Sequence, residues 1–264
     1  MHKKKPTQHQ CLFTVFLLLL FGKSILVHAG SADEIQVYTD AINTPGAFGL
    51  ELHSNYVPVG INQPAYQGDM PAQGTFRETS EFSYGLTNTW ELGAYLPIIV
   101  NKGNTYVEGG KLRIKFLDHA GENIFYGINT EVGWVPKRSA PNYWNTEIRP
   151  ILGYRSDNWL TVFNPVMGWA LSGQDSWRPS FEPSIKVGRN VGGGYMLGFE
   201  HHTDLGTIDN ISPLSQQSHV TYLAIDTTKA NINFNFGVGH GWTQGSDGWT
   251  VKIILGLPVN QWFQ

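Results

Sequence analysis

The chain has one cysteine in 264 residues, Cys11, and it lies at the start of the first apolar run. Disulfide staples and thiol chemistry are therefore excluded for everything that follows it. Charge is also scarce: Asp, Glu, Lys and Arg make up 15% of residues, and a formal net charge of −3 offers no basic excess for nucleic acid. Beyond residue 29 no apolar stretch reaches the roughly 20 residues of a spanning helix, and no segment keeps a helical period. If this chain enters a membrane, it has to cross with strands.

Glycine and aromatic residues are plentiful, with 30 Gly, 9 Trp, 11 Tyr and 14 Phe. Residues 1–29 read as a secretory signal: Lys3, Lys4 and Lys5, then the apolar run Cys11 to Phe21, then Val27-His28-Ala29. Small side chains stand there at the two positions a signal peptidase reads, so cleavage is expected after Ala29, with Ala32 as the alternative. Residues 30–47 are expected to form a short periplasmic segment with a β-like piece at Ile35 to Tyr38. Residues 48–264 form the one large domain.

The stretch from Thr79 to Ile98 is the clearest pattern, two alternating strands folded back at Leu86 to Thr89. Phe82 and Tyr84 share one face and Glu81 and Ser83 the other; Trp90, Leu92, Ala94, Leu96 and Ile98 oppose Glu91 and Tyr95. A soluble sandwich gives the same alternation, so the order of hairpins has to decide. Counting from Phe48 gives about twelve strands, each long enough to cross an outer membrane when tilted. Tight connections at 86–89, 118–122, 155–159, 189–194 and 227–231 alternate with longer ones at 58–74, 100–110, 135–143, 171–178, 203–217 and 240–248. This predicts an all-β, antiparallel, up-and-down transmembrane barrel with both termini periplasmic, in the outer membrane of a Gram-negative bacterium.

Tryptophan placement agrees. Trp90, Trp159 and Trp262 fall at one rim, and Trp134, Trp144, Trp169, Trp177, Trp242 and Trp249 at the other. Two aromatic girdles are expected, built from Trp90, Trp134, Trp144, Trp159, Trp169 and Trp249. One feature runs the other way. Pro97, Pro150, Pro165, Pro183 and Pro258 lie in or near strands, although a closed barrel has no free edge on which a missing N–H is harmless.

Opposite the apolar face stand Glu51, Arg77, Glu81, Glu91, Lys111, Arg113, Lys115, Glu131, Glu147, Arg149, Glu182, Lys186, Glu200 and His202. In a lipid-facing barrel that face is the lumen, and its charges must be paired, wet, or both. Leu255 falls on the lipid face and Lys252 on the other, so Leu255→Arg is expected to impair insertion and Lys252→Ala to leave assembly intact.

Catalytic patterns are sparse. A strand-borne His–Ser pair needs two-residue spacing to share a face, and His53 is followed directly by Ser54. Glu200, His202 and Asp204 could offer metal ligands, but a polar lumen explains the same spacing and no metal or cofactor is expected. Gly192-Gly193-Gly194 is a turn, since no helix follows to make it a phosphate cradle. The chain is accordingly read as a non-enzyme.

Glu34 to Thr39 (EIQVYT), Pro45 to Pro58 (PGAFGLELHSNYVP), the 79–98 hairpin, Glu147 to Arg155 (EIRPILGYR) and Gly239 to Thr243 (GHGWT) resemble a largely uncharacterised group of proteobacterial outer-membrane β-barrel proteins. That group is placed loosely with outer-membrane transporters of the phenol meta-pathway type, found beside aromatic-degradation genes. The resemblance covers most of the exported chain and implies location, barrel architecture and a transport role; it brings no functional residues with it.

The expected function is a passive channel or transporter for small polar or aromatic solutes. The alternatives are a structural or receptor barrel plugged by its own salt bridges and, further off, a lipid-modifying enzyme. Expected partners are outer-membrane lipids, the barrel-assembly machinery during insertion, and a small solute, with no nucleic acid.

Overall fold

The computed structural model describes residues 34–173 and 176–260. The expected signal, both cleavage positions and Trp262 lie outside the described residues.

Twelve strands make the wall. They are β1 (Phe48–Val59), β2 (Phe76–Gly85), β3 (Trp90–Asn101), β4 (Asn104–Val107, resuming as Gly110–Ala120), β5 (Ile124–Trp134) and β6 (Trp144–Arg155). After them come β7 (Trp159–Asn164, resuming as Met167–Ala170), β8 (Ser180–Phe181, resuming as Ser184–Gly192), β9 (Tyr195–Asp204), β10 (Ser218–Lys229), β11 (Ile232–Gly241) and β12 (Trp249–Leu257). Each pairs antiparallel with the next, and β1 closes on β12 from Leu50↔Leu257 to Tyr56↔Val251. Among the described residues, closure leaves no unpaired edge in the wall.

Two-residue periodicity sorts the side chains. In β3, Glu91, Tyr95 and Ile99 are buried while Trp90, Leu92 and Leu96 are exposed. The outward set continues around the wall through Phe82, Ile114, Ile128, Leu152, Phe199 and Leu223. An apolar belt of that extent is a lipid-facing surface, since water would not tolerate it. Ser54 and Glu78 point to this outer side and hydrogen-bond each other, whereas His53 is buried inside.

The connection at 100–110 is tighter than its composition suggests. Lys102 and Gly103 both adopt positive φ, 48° and 80°, and fold β3 directly onto the first part of β4. Pro97 then lies against the Glu108-Gly109 bulge, where Glu108 N–H donates to the Pro97 carbonyl. Breaks in the ladder absorb the next three prolines as well, and Pro258 follows the end of β12. β7 is interrupted at Pro165-Val166 and β8 at Glu182-Pro183, and Pro150 of β6 lies opposite the first of these gaps. Three prolines on neighbouring strands thus share one level, so the missing N–H groups coincide with places where no ladder bond is asked for.

Residues 34–44 run inside the barrel, in contact with side chains of its wall, and Ile35 to Tyr38 forms no strand. The wall's side chains, rather than a neighbouring strand, take up the backbone groups of this segment. Val37 and Tyr38 pack into a buried apolar cluster with Leu117, Phe125, Ile151, Leu160 and Val162 from the inner faces of β4 to β7.

Candidate functional site: a lumen crossed by its own N-terminal segment

All fourteen charged positions expected on the inner wall are buried or half-buried, and none is exposed. Twelve of them fall into ion pairs that form separate groups. In the first, the Arg113 guanidinium bridges Glu81 and Glu91, with 2.7 Å to Glu91 Oε1. Lys115 Nζ lies 2.8 Å from the same Glu91 oxygen, and His53 Nε2 lies 3.1 Å from Glu81 and 3.6 Å from Glu51. The cross-strand partner of Arg113 is Gly93, where a Cβ would come within 2.5 Å of Arg113 Nε. The missing side chain is what lets the guanidinium lie flat between two carboxylates. Lys111 and Glu131 pair at 3.6 Å beside the contacting hydroxyls of Tyr38 and Tyr95.

In the second group Glu200, 1% exposed, accepts from Lys252 and lies 3.0 Å from Lys186, which also reaches Asp226 at 2.8 Å. His202 Nε2 stands 3.5 Å from Glu200. Glu147 pairs with Arg149 at 2.8 Å, and Glu182 accepts from the Ser180 hydroxyl. Arg77 donates to Thr75 at 3.1 Å. The wall therefore has two dense charge clusters and a looser region around Glu147, Glu182 and Arg77.

Lys252 carries more than a neutral lining position would. Besides Glu200 it holds the Ile35 carbonyl at 2.9 Å. Comparable contacts secure the rest of the inner segment: Arg149 Nη1 donates to Gln36 O at 3.0 Å, and Lys115 Nζ to Ala41 O at 3.0 Å. Asn43 N–H donates to Glu91 at 2.7 Å, and Arg155 forks onto Asp40. Asn164, fully buried at the proline level of β7, accepts from Tyr38 N–H at 2.8 Å and donates to Tyr38 O at 3.2 Å.

This segment divides the lumen. A cavity of about 300 Å³ lies on the side of the long loops and one of about 490 Å³ on the side of the short turns, and Gln36 borders both. Glu34, which precedes the strands, points into the loop-side cavity region with Oε1 lacking a hydrogen-bond partner. Burial and then the nearby Glu131 push its carboxyl up to about 7.

The tryptophans are distributed as follows. Trp90, Trp134, Trp144, Trp159 and Trp249 are exposed at strand ends, Trp134 and Trp144 being direct cross-strand partners. Trp169 differs: it is half-buried, with Nε1 lacking a partner. Sequence reasoning placed Lys252 on the inner face but missed Tyr38, Asn164 and Asp226 as lumen contacts. Strand parity alone could have added Asp226. Nothing in the sequence points Tyr38 at Asn164.

No family model matches the chain, and no curated protein matches it in sequence. In architecture it is similar to the COG4313 outer membrane channel from Pseudomonas putida F1, at 10% identity and a TM-score of 0.59 over 84% of this chain and 99% of that one. It is also similar to the KdgM porin, at 8% identity and a TM-score of 0.53 over 79% and 97%. A structure of that porin in complex with disordered oligogalacturonate aligns with a TM-score of 0.51, again at 8% identity over 79% and 97%. At such identities the likeness is one of fold: the chain is a twelve-stranded β-barrel of the outer-membrane type.

Proposed function

We propose that this protein is a passive outer-membrane channel for small polar or aromatic solutes, closed at rest by its own residues 34–44. In this reading the short turns face the periplasm, and the segment withdraws toward that side to open the path. The observation that carries it is the division of the lumen. A single strand of chain separates two cavities, and charged side chains hold it mainly by its backbone carbonyls. A barrel serving only as a scaffold has no need to keep space on both sides of so thin a partition. The fold shared with an outer membrane channel and a porin is in keeping with this reading.

The test is planar-bilayer recording of the exported chain beside a variant lacking residues 34–44. The variant should show large, stable conductance steps, and the intact protein brief or small ones. Two silent proteins that both migrate as folded barrels when unheated would favour the plugged, non-conducting alternative.

A further inference from the structure

The two cavities differ in charge. Seven acidic side chains and three arginines line the loop-side cavity, whereas four acidic and three cationic side chains line the turn-side one. Arg138 is committed to Glu108 and Arg149 to Glu147. On the wall made by β6, β8 and β9, Glu182 stands near Glu147 and Asp204 and accepts from the Ser180 hydroxyl. Enclosed carboxylates in such excess call for a counter-charge.

A second, independent observation points the same way. Asn55 and Ser184 border this cavity, each less than 5% exposed, and Asn55 Oδ1 and Ser184 Oγ have no hydrogen-bond partner. Buried oxygens left without donors are costly unless a ligand supplies them. Between the polar groups the wall is apolar, with Val57, Ile99, Val135, Val166 and Val220. A bare metal ion needs oxygens gathered tightly around one point. Among the described residues the group that tight is Glu51, His53 and Glu81, outside this cavity and already engaged by Arg113.

We infer that the loop-side cavity is a binding site for a small organic cation, an alkyl chain bearing one or two ammonium groups. Its ammonium is held by Glu182 with Glu147 and Asp204, its N–H groups satisfy Ser184 and Asn55, and its methylenes lie on the valines. The inference builds on the channel reading and narrows its solute to cationic molecules.

Calorimetry on the detergent-solubilised protein, with putrescine as the probe and glutarate as a diacid of similar size, tests the site without requiring conduction. Putrescine should bind saturably and glutarate should not. Glu182→Gln should weaken putrescine binding about thirtyfold, as expected on losing one partner of an enclosed charge pair, and Ser184→Ala by a smaller factor. Glu122→Gln, on an exposed turn, should leave it unchanged. Unheated gel mobility confirms that each variant is a folded barrel. Equal binding of glutarate, no binding of putrescine, or full affinity in folded Glu182→Gln overturns the inference. Conduction without putrescine binding leaves the channel and removes the cation site; binding without conduction in the variant lacking residues 34–44 leaves the site and removes the channel.

Discussion

Asn164 holds both peptide groups of Tyr38, accepting from its N–H and donating to its carbonyl, so that one side chain of the barrel imitates a neighbouring strand. Replacing it with alanine removes two enclosed hydrogen bonds and leaves two backbone groups seeking partners, a loss of about 1 to 3 kcal/mol. Asn164→Ala should raise the open probability in bilayer recordings at least about tenfold while leaving the barrel folded. Unchanged gating would show that Tyr38 is anchored by its apolar contacts alone.

Arg113 between Glu81 and Glu91 should matter for stability. Removing its charge leaves two enclosed carboxylates partly uncompensated, at a cost of about 3 to 5 kcal/mol. Arg113→Met should lower the temperature at which the barrel loses its compact gel mobility, and the double variant with Glu81→Gln should recover much of that loss. A double variant no more stable than the single would mean that Glu81 is not the dominant partner.

Gly153 lies beneath Phe125, and a Cβ there would come within 2.0 Å of the ring. Because Phe125 belongs to the cluster that receives Val37 and Tyr38, Gly153→Ala should push the ring into the inner segment and destabilise its seat by about 1 to 3 kcal/mol. Faster proteolysis near residue 40 in the folded variant would report it; wild-type protection would argue that the ring moves elsewhere.

The Glu34 carboxyl, raised to about 7, gives the seated segment a pH dependence of known sign. A carboxyl whose pKa is raised on docking weakens docking as pH climbs from its ordinary value toward 7 and through it, because the charged form then sits near Glu131 and Glu81. His53 and Arg149 moderate that repulsion without cancelling it. Opening should therefore increase several-fold between pH 6 and 8, and Glu34→Gln should flatten the response. A Glu34→Gln protein with the wild-type profile would assign the titration to another group.

On the outer wall, Leu223 is half exposed in mid-strand. Arginine there should cost about 2 to 4 kcal/mol and reduce the membrane-inserted fraction. Lys252→Ala, by contrast, should insert yet lose stability, since Glu200 and the Ile35 carbonyl both depend on that ammonium. Equal insertion of the Leu223→Arg protein and wild type would reverse the assignment of faces.

The wall was readable from sequence because a strand carries its partition in every second residue: Glu81 against Phe82, Glu91 against Leu92. The charged inner face followed from the same parity. What parity could not reveal is the segment from Glu34 to Thr44, since Ile35 to Tyr38 alternates like any short strand and the segment's partners lie 74 to 217 positions away on Lys115, Asn164 and Lys252. The prolines misled for a related reason. Each looks harmful in its own strand, and only the alignment of Pro150, Pro165 and Pro183 on three adjacent strands shows the breaks to be shared.

The inner segment also spans the seam of the barrel. Gln36 reaches Glu51 on β1, while the neighbouring Ile35 carbonyl is held by Lys252 on β12, so two consecutive residues clasp the first and last staves from within. Withdrawing the segment would therefore loosen the joint where the cylinder was sealed. The same few residues set both how easily the pore empties and how firmly the hoop stays shut.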